Sequence, residues 1–152
     1  QASECAACHG ICPVGAISNG KPPTLDTERC QSCLACLPAC PVGAFHADDD
    51  VAALLNCVTH VEGKTIELLC GLHPHPDQGM EAEAIGIRTR GCLAGLGMGA
   101  YLTLSALGLE RILARTDACR ACKWSSLGSQ VSSQTAQANR FLSAWGRAEA
   151  GA

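Results

Sequence analysis

Four cysteines stand within eleven residues, Cys30-x2-Cys33-x2-Cys36-x3-Cys40, and Pro41 follows directly. Cysteines at intervals of three place their sulfurs around one tight turn, with backbone N–H groups pointing inward, and a proline then ends the turn. The chain holds 12 cysteines in 152 residues, close to the density of a secreted disulfide scaffold. Spacing decides against that reading. Thiols this dense at CxxC spacing would scramble in an oxidising compartment unless metal held them, so a reducing cytoplasm is the expected setting. Zinc ribbons do not use four cysteines in eleven residues capped by proline.

The chain also repeats itself. Cys-Pro-Val-Gly-Ala occurs at residues 12–16 and again at 40–44, each followed by an apolar residue, Ile17 or Phe45. Two copies imply two pseudo-equivalent sites. The second copy carries the complete ligand run of bacterial ferredoxins, in which the fourth cysteine serves the other cluster. On these motifs, residues 5–46 resemble a bacterial two-cluster ferredoxin, an α+β unit of two pseudo-symmetric halves. The resemblance implies that Cys12, Cys30, Cys33 and Cys36 bind one [4Fe–4S] cluster, A.

It assigns Cys5, Cys8 and Cys40 to a second cluster, B, with Ala2 where the first ligand of that half should stand. A three-iron cluster, a recruited ligand or a cysteine upstream of Gln1 would each account for the gap. The ferredoxin strand expected before the first cysteine is also missing, which favours a lost upstream segment or a non-standard start. Cys5-Ala6-Ala7-Cys8-His9 matches the c-type haem attachment signature as well, but the repeat already accounts for both cysteines.

Beyond residue 47 the pattern changes. Asp48-Asp49-Asp50 can cap a helix carrying Val51, Leu54, Leu55 and Val58 at helical period. Residues 65–69 read as a buried strand ending in Cys70, residues 84–89 as a second ending at Gly91-Cys92, and residues 111–115 as a third running into Cys119-Arg120-Ala121-Cys122. The uncharged run 91–109 is long enough to span a bilayer. Its five glycines and flanking strands make it a buried crossover helix instead. Val131, Thr135, Ala138, Leu142 and Trp145 would line one face of a closing helix.

This order predicts a small parallel sheet whose sites lie outside the carboxyl ends of its strands, where Cys70, Cys92, Cys119 and Cys122 all fall. A third centre, C, is therefore expected there, as [4Fe–4S], [2Fe–2S] or zinc, with unligated buried thiols as the alternative. Residues 66–124 distantly resemble the small iron–sulfur subunit that links methyl-viologen-type hydrogenases to heterodisulfide reductase, a likeness that favours [2Fe–2S], while proximity to two cubanes favours [4Fe–4S]; spacing does not choose between them. One cysteine is left, Cys57, which either completes cluster B or is a small core residue.

The expected organisation is an α+β ferredoxin-type two-cluster domain (1–47), a small α/β unit with a short parallel sheet and a cysteine-ligated metal site (48–127), and a C-terminal amphipathic helix and tail packing on it (128–152). Net charge is −3, no Lys/Arg block is present and there are five aromatic residues, so nucleic-acid binding is not expected. Gly95-x-Gly97-x-x-Ala100, with Asp117 about twenty residues on, outlines a dinucleotide fingerprint. The same glycines would also let a helix pack close beside a cluster. His73 and His75, in His-Pro-His-Pro, read as a surface turn with metal ligation as the alternative. Asp48 to Asp50 form an acidic patch suited to docking a basic partner.

The sequence thus describes an electron carrier, without a catalytic residue of its own, that relays single electrons between protein redox partners as part of a larger oxidoreductase complex. No transmembrane span is expected. The alternative is a reductase component that binds NAD or flavin or acts on a disulfide.

Overall fold

A computed structural model describes residues 5–48, 50–146 and 150–151. The first quarter of the chain holds little regular structure, because its backbone is bent around cysteine turns. Helix α1 (Ala7–Ile11) precedes a two-stranded antiparallel hairpin of β1 (Ile17–Ser18) and β2 (Thr24–Leu25), and a one-turn helix α2 (Cys36–Ala39) follows. The internal repeat is visible in three dimensions. Cys12 and Cys40 both end their helices in extended backbone, at φ −71°, ψ 113° and φ −88°, ψ 112°. Three residues later Gly15 and Gly43 both take the left-handed conformation, at φ 59° and 62°, which glycine reaches without a Cβ clash.

Helix α3 (Asp50–Val58) opens the second part, with Leu54 and Val58 buried one turn apart. The proposed cap at Asp48 to Asp50 involves Asp49, outside the described residues. Strands β3 (Thr65–Leu69), β4 (Ile85–Arg88) and β5 (Arg111–Ala114) form a parallel sheet in the order β4-β3-β5, as the sequence pattern anticipates. The register sets Leu69 beside Arg88 and Leu68 beside Ala114, so all three strands run out at one edge. Central β3 is buried along Ile66, Glu67, Leu68 and Leu69, the continuous burial of a strand covered on both faces.

Between β4 and β5 runs a short 3-10 turn (Leu93–Gly95) and then helix α4 (Gly97–Ala106), the expected crossover. At ten residues it is about 15 Å long. Among the described residues no helix is long and apolar enough to cross a membrane. Helix α5 (Gly128–Ala144) closes the fold and leads to β6 (Ala150–Gly151), a two-residue strand parallel to β5. Val131, Thr135, Ala138 and Leu142 form its buried stripe. Trp145 corrects the sequence reading: it stands at the helix end, 65% exposed, with its ring 6.2 Å from that of Phe141. The turn ending the helix carries it off the stripe.

One apolar core unites these parts. Ala35, from the cysteine loop, lies fully buried in the same cluster as Ile66, Leu93, Tyr101, Ile112 and Leu142. Burying one such leucine side chain contributes about 1.5–3 kcal/mol. The cysteine turns are therefore held by the packing of the sheet and its helices as well as by their own short helices.

Candidate metal centres

Cys12, Cys30, Cys33 and Cys36 line one cavity, together with apolar Ile17 and Leu37. The loop that brings the last three together is built on two left-handed residues, Ser32 (φ 52°) and Leu34 (φ 62°), on either side of Cys33. Neither is glycine. Such a conformation costs of order 1–3 kcal/mol at a non-glycine residue and persists where the surroundings fix it, often at functional sites. The N–H groups of Ala35 and Cys33 face the Cys33 sulfur, an arrangement that favours negative charge there. The thiols of Cys33 and Cys36 are pushed up mainly by burial; the Ala35 N–H opposes this at Cys33, and neighbouring sulfurs add to it at both. Metal ligation removes that conflict, since a cation stabilises each thiolate.

The repeat supplies matching contacts at the fourth cysteine of each copy. The N–H of Ala16 donates to Cys12 Sγ, and that of Ala44 to Cys40 Sγ, both at 3.2 Å. Cys40 is pulled down by the N–H groups of Ala44, Val42 and Gly43, in that order apart from a small opposing effect of burial. Arg29 Nη2 donates to the Val14 carbonyl at 3.0 Å and ties the first copy to the turn before Cys30. Cys5 is exposed and Cys8 buried on α1. His9 Nδ1 lies 2.6 Å from the Ile17 carbonyl and, as its donor, anchors α1 to the hairpin.

A second cavity opens at the carboxyl edge of the sheet, lined by Cys70, Cys92, Cys119 and Cys122 with Leu93 and Trp124. Each cysteine sits where a strand has ended. Thr89 Oγ1 donates to the Leu69 and Gly91 carbonyls, at 3.2 and 3.0 Å, and so lashes the exits of β3 and β4 together. Gln134 Nε2 donates to the Ala94 carbonyl at 3.0 Å, clamping α5 onto the turn after Cys92. Backbone N–H groups again face sulfur: Leu72 and His73 at Cys70, Ala94 at Cys92, and Trp124 at Cys122 at 3.4 Å. Burial pushes the Cys92 thiol up to about 11, with further elevation from Cys70, Cys119 and Cys33. Cys70 and Cys119 are raised in the same way, burial first.

The four cysteines of each set line one cavity. Among the described residues no three His, Cys, Asp or Glu side chains are placed to share one metal ion. Next to the second cavity the Tyr101 hydroxyl is fully buried with no hydrogen-bond partner among the described residues, close enough for the Cys92 charge to raise its pKa further beyond the effect of burial. An unpaired O–H beside a thiolate fits a bound group with acceptor sulfurs.

Other sequence-level candidates are placed differently. Cys57 is exposed and lines a groove with Leu54, Ile87, Arg88 and Arg90; none of Cys5, Cys8 and Cys40 lines it. His75 lies on the surface as expected, but His73 does not. It is 3% exposed, in the wall of the second cavity. Its Nδ1 accepts the His75 N–H at 3.3 Å, so Nε2 carries the proton that faces Asp117, also at 3.3 Å. The turn at Pro74 folds the ring inward.

Arg115 joins Asp117 to buried Glu67, with contacts of 2.9 and 3.2 Å, and the Glu81 N–H completes the Glu67 carboxylate at 2.6 Å. That Arg115–Glu67 pair left no periodic or motif signal in the sequence. The dinucleotide outline finds no room. A Cβ at Gly95 would stand 2.8 Å from Leu34 Cβ, and one at Gly97 2.6 Å from Pro38 Cβ, so the space beside the glycines is filled by the cysteine loop. Asp117 is engaged by Arg115 and His73.

Comparison with known families finds one match, in the second copy of the repeat. Residues 23–46 match the family described as 4Fe-4S binding domain (Fer4), which spans Cys30, Cys33, Cys36 and Cys40. The chain thus contains a ferredoxin-type 4Fe–4S binding segment, and this supports an electron-transfer role. No curated protein and no solved structure matches the chain.

Proposed function

We propose that this protein relays single electrons through iron–sulfur centres as a carrier or as a subunit of a larger oxidoreductase complex. The observation that carries the reading is the pair of cavities, each lined by four cysteines, with backbone N–H groups facing the sulfurs of Cys12, Cys33, Cys36, Cys70, Cys92 and Cys122. Cys12, Cys30, Cys33 and Cys36 would hold a [4Fe–4S] cluster, and Cys70, Cys92, Cys119 and Cys122 a further iron–sulfur centre. Cys5, Cys8 and Cys40 are the candidates for another; Cys57, in its separate groove, is not assigned to it. When bound, such clusters supply reversible one-electron chemistry with potentials tuned by burial and hydrogen bonds to sulfur.

The residues of the chain do the rest. Thiolates bind, N–H groups offset the accumulated negative charge, and Leu37, Leu93 and Trp124 keep water from the sulfur. Protein partners are the expected donors and acceptors.

The test is iron and acid-labile sulfide per chain after anaerobic reconstitution. Cys33→Ser should lose about four iron atoms, the content of one cubane. Unchanged iron in that variant would refute the assignment. A purified chain that bound NAD or flavin, or reduced a disulfide, would favour the reductase reading instead.

A further inference from the structure

The two cavities share a wall. On one side of it the 3-10 turn after Cys92 rests on the cysteine loop, with Gly95 facing Leu34 Cβ and the Cys33 carbonyl oxygen; a Cβ there would come to 2.8 and 3.3 Å of them. Gly97, left-handed at φ 72°, lets the start of α4 lie against Pro38. On the other side Trp124, which lines the second cavity, donates from Nε1 to Gln31 Oε1 at 2.8 Å, and Gln31 lines the first. The partners are 93 residues apart in sequence, and Trp124 is 6% exposed, so this bond is sheltered from water. Cys33 and Cys92 stand near enough for their charges to interact.

We propose that Gly95, Gly97 and Trp124 are positioning residues that hold the two four-cysteine sets against each other, so that centres bound in them exchange electrons directly. The proposal rests on reading both cavities as iron–sulfur sites. An electron crossing the wall oxidises one centre and reduces the other by the same unit, and no proton, bond or ligand changes place. Neither glycine can be replaced without driving the walls apart, because the atoms each one faces include a backbone carbonyl and a rigid proline ring. The indole–amide bond supplies a second tie that does not depend on them.

The experiment uses the full chain, reconstituted anaerobically and fully reduced, and reads the low-temperature EPR line shape and spin relaxation of the centre at Cys12, Cys30, Cys33 and Cys36. In the parent chain this signal should be broadened and fast-relaxing through its neighbour. Cys119→Ala should remove about two to four iron atoms, the content of one [2Fe–2S] or [4Fe–4S] centre, and leave a narrower, slower-relaxing signal. Gly95→Ala should keep its iron yet show weakened coupling, and Trp124→Phe, which retains a ring but loses the N–H, should weaken it to a smaller extent.

If Cys119→Ala keeps the iron of the parent, the iron–sulfur reading of the second cavity fails, and the proposal with it. If it loses iron while the remaining signal is unchanged, the reading stands and the proposal alone is refuted. Iron-loaded Gly95→Ala with parental coupling refutes the role of the glycine. Should that variant not load, Trp124→Phe decides, and parental coupling there counts against a built contact.

Discussion

Gly97 and Gly99 lie two residues apart at the start of α4, and the structure assigns them opposite responses to the same substitution. At Gly97 an alanine Cβ would meet Pro38 Cβ at 2.6 Å, and the backbone is left-handed. The conformational cost is about 1–2 kcal/mol, and forcing a methyl into a packed contact adds about 1–3 kcal/mol. Reduced freedom of the unfolded chain returns about 0.4–1 kcal/mol. The net is a loss of about 1–5 kcal/mol, or roughly 3–15 °C in Tm for a chain of this size.

Gly99 has an ordinary backbone, is exposed and has nothing within 4 Å of a Cβ. Alanine there should gain up to about 1 kcal/mol from helix propensity, or roughly 2–4 °C. Thermal unfolding of the reconstituted chain, followed by far-UV circular dichroism and by cluster absorbance, reads both. Equal shifts in the two variants would falsify the packing argument, and a Gly97→Ala variant as stable as the parent would show that the cysteine loop does not rest on α4.

Three other expectations can be checked with the same preparation. Arg115→Ala leaves Glu67, 1% exposed, with the Glu81 N–H as its one remaining partner among the described contacts, and should cost about 3–5 kcal/mol in chemical denaturation, as for a buried ion pair broken on one side; a loss below 1 kcal/mol would count against it. Asp117 is held well below the usual carboxylate range, chiefly by Arg115 and less by His73. Its contribution is therefore complete above the ordinary aspartate value near 4 and fades as pH falls below it, so the stability gap between the parent and Asp117→Asn should shrink from pH 5 to pH 3; a constant gap contradicts this. Tyr101→Phe removes a buried hydroxyl without a protein partner and should raise the stability of the metal-free chain by about 1 kcal/mol. A drop there would mean that the hydroxyl is satisfied within the protein.

Much of the site was legible from local spacing. The offset of 28 residues between the two Cys-Pro-Val-Gly-Ala copies reappears as paired glycine conformations and paired N–H to sulfur contacts. The strand-then-cysteine pattern at Cys70 and Cys92 was readable because parallel strands end at one edge, and apolar runs mark strands. What spacing could not convey depends on contacts between distant segments. Gln31 and Trp124, or Glu67 and Arg115, are unremarkable until the chain brings them together. His73 was read as exposed because prolines usually mark surface turns; here the turn at Pro74 tucks one of two similar histidines inward. The glycines of residues 95–97 fit two patterns equally well, and only their neighbours Leu34 and Pro38 distinguish them.

Ala35, fully buried in the core that also holds β3, β5 and α5, has a consequence for how this protein ages and breaks. A loop rooted in the common core cannot come loose while the rest stays intact, so colour becomes a gauge of integrity: bleaching of a cluster held by that loop should track the melting of the sheet. Loss of a metal held by that loop would, by the same coupling, soften the sheet as well.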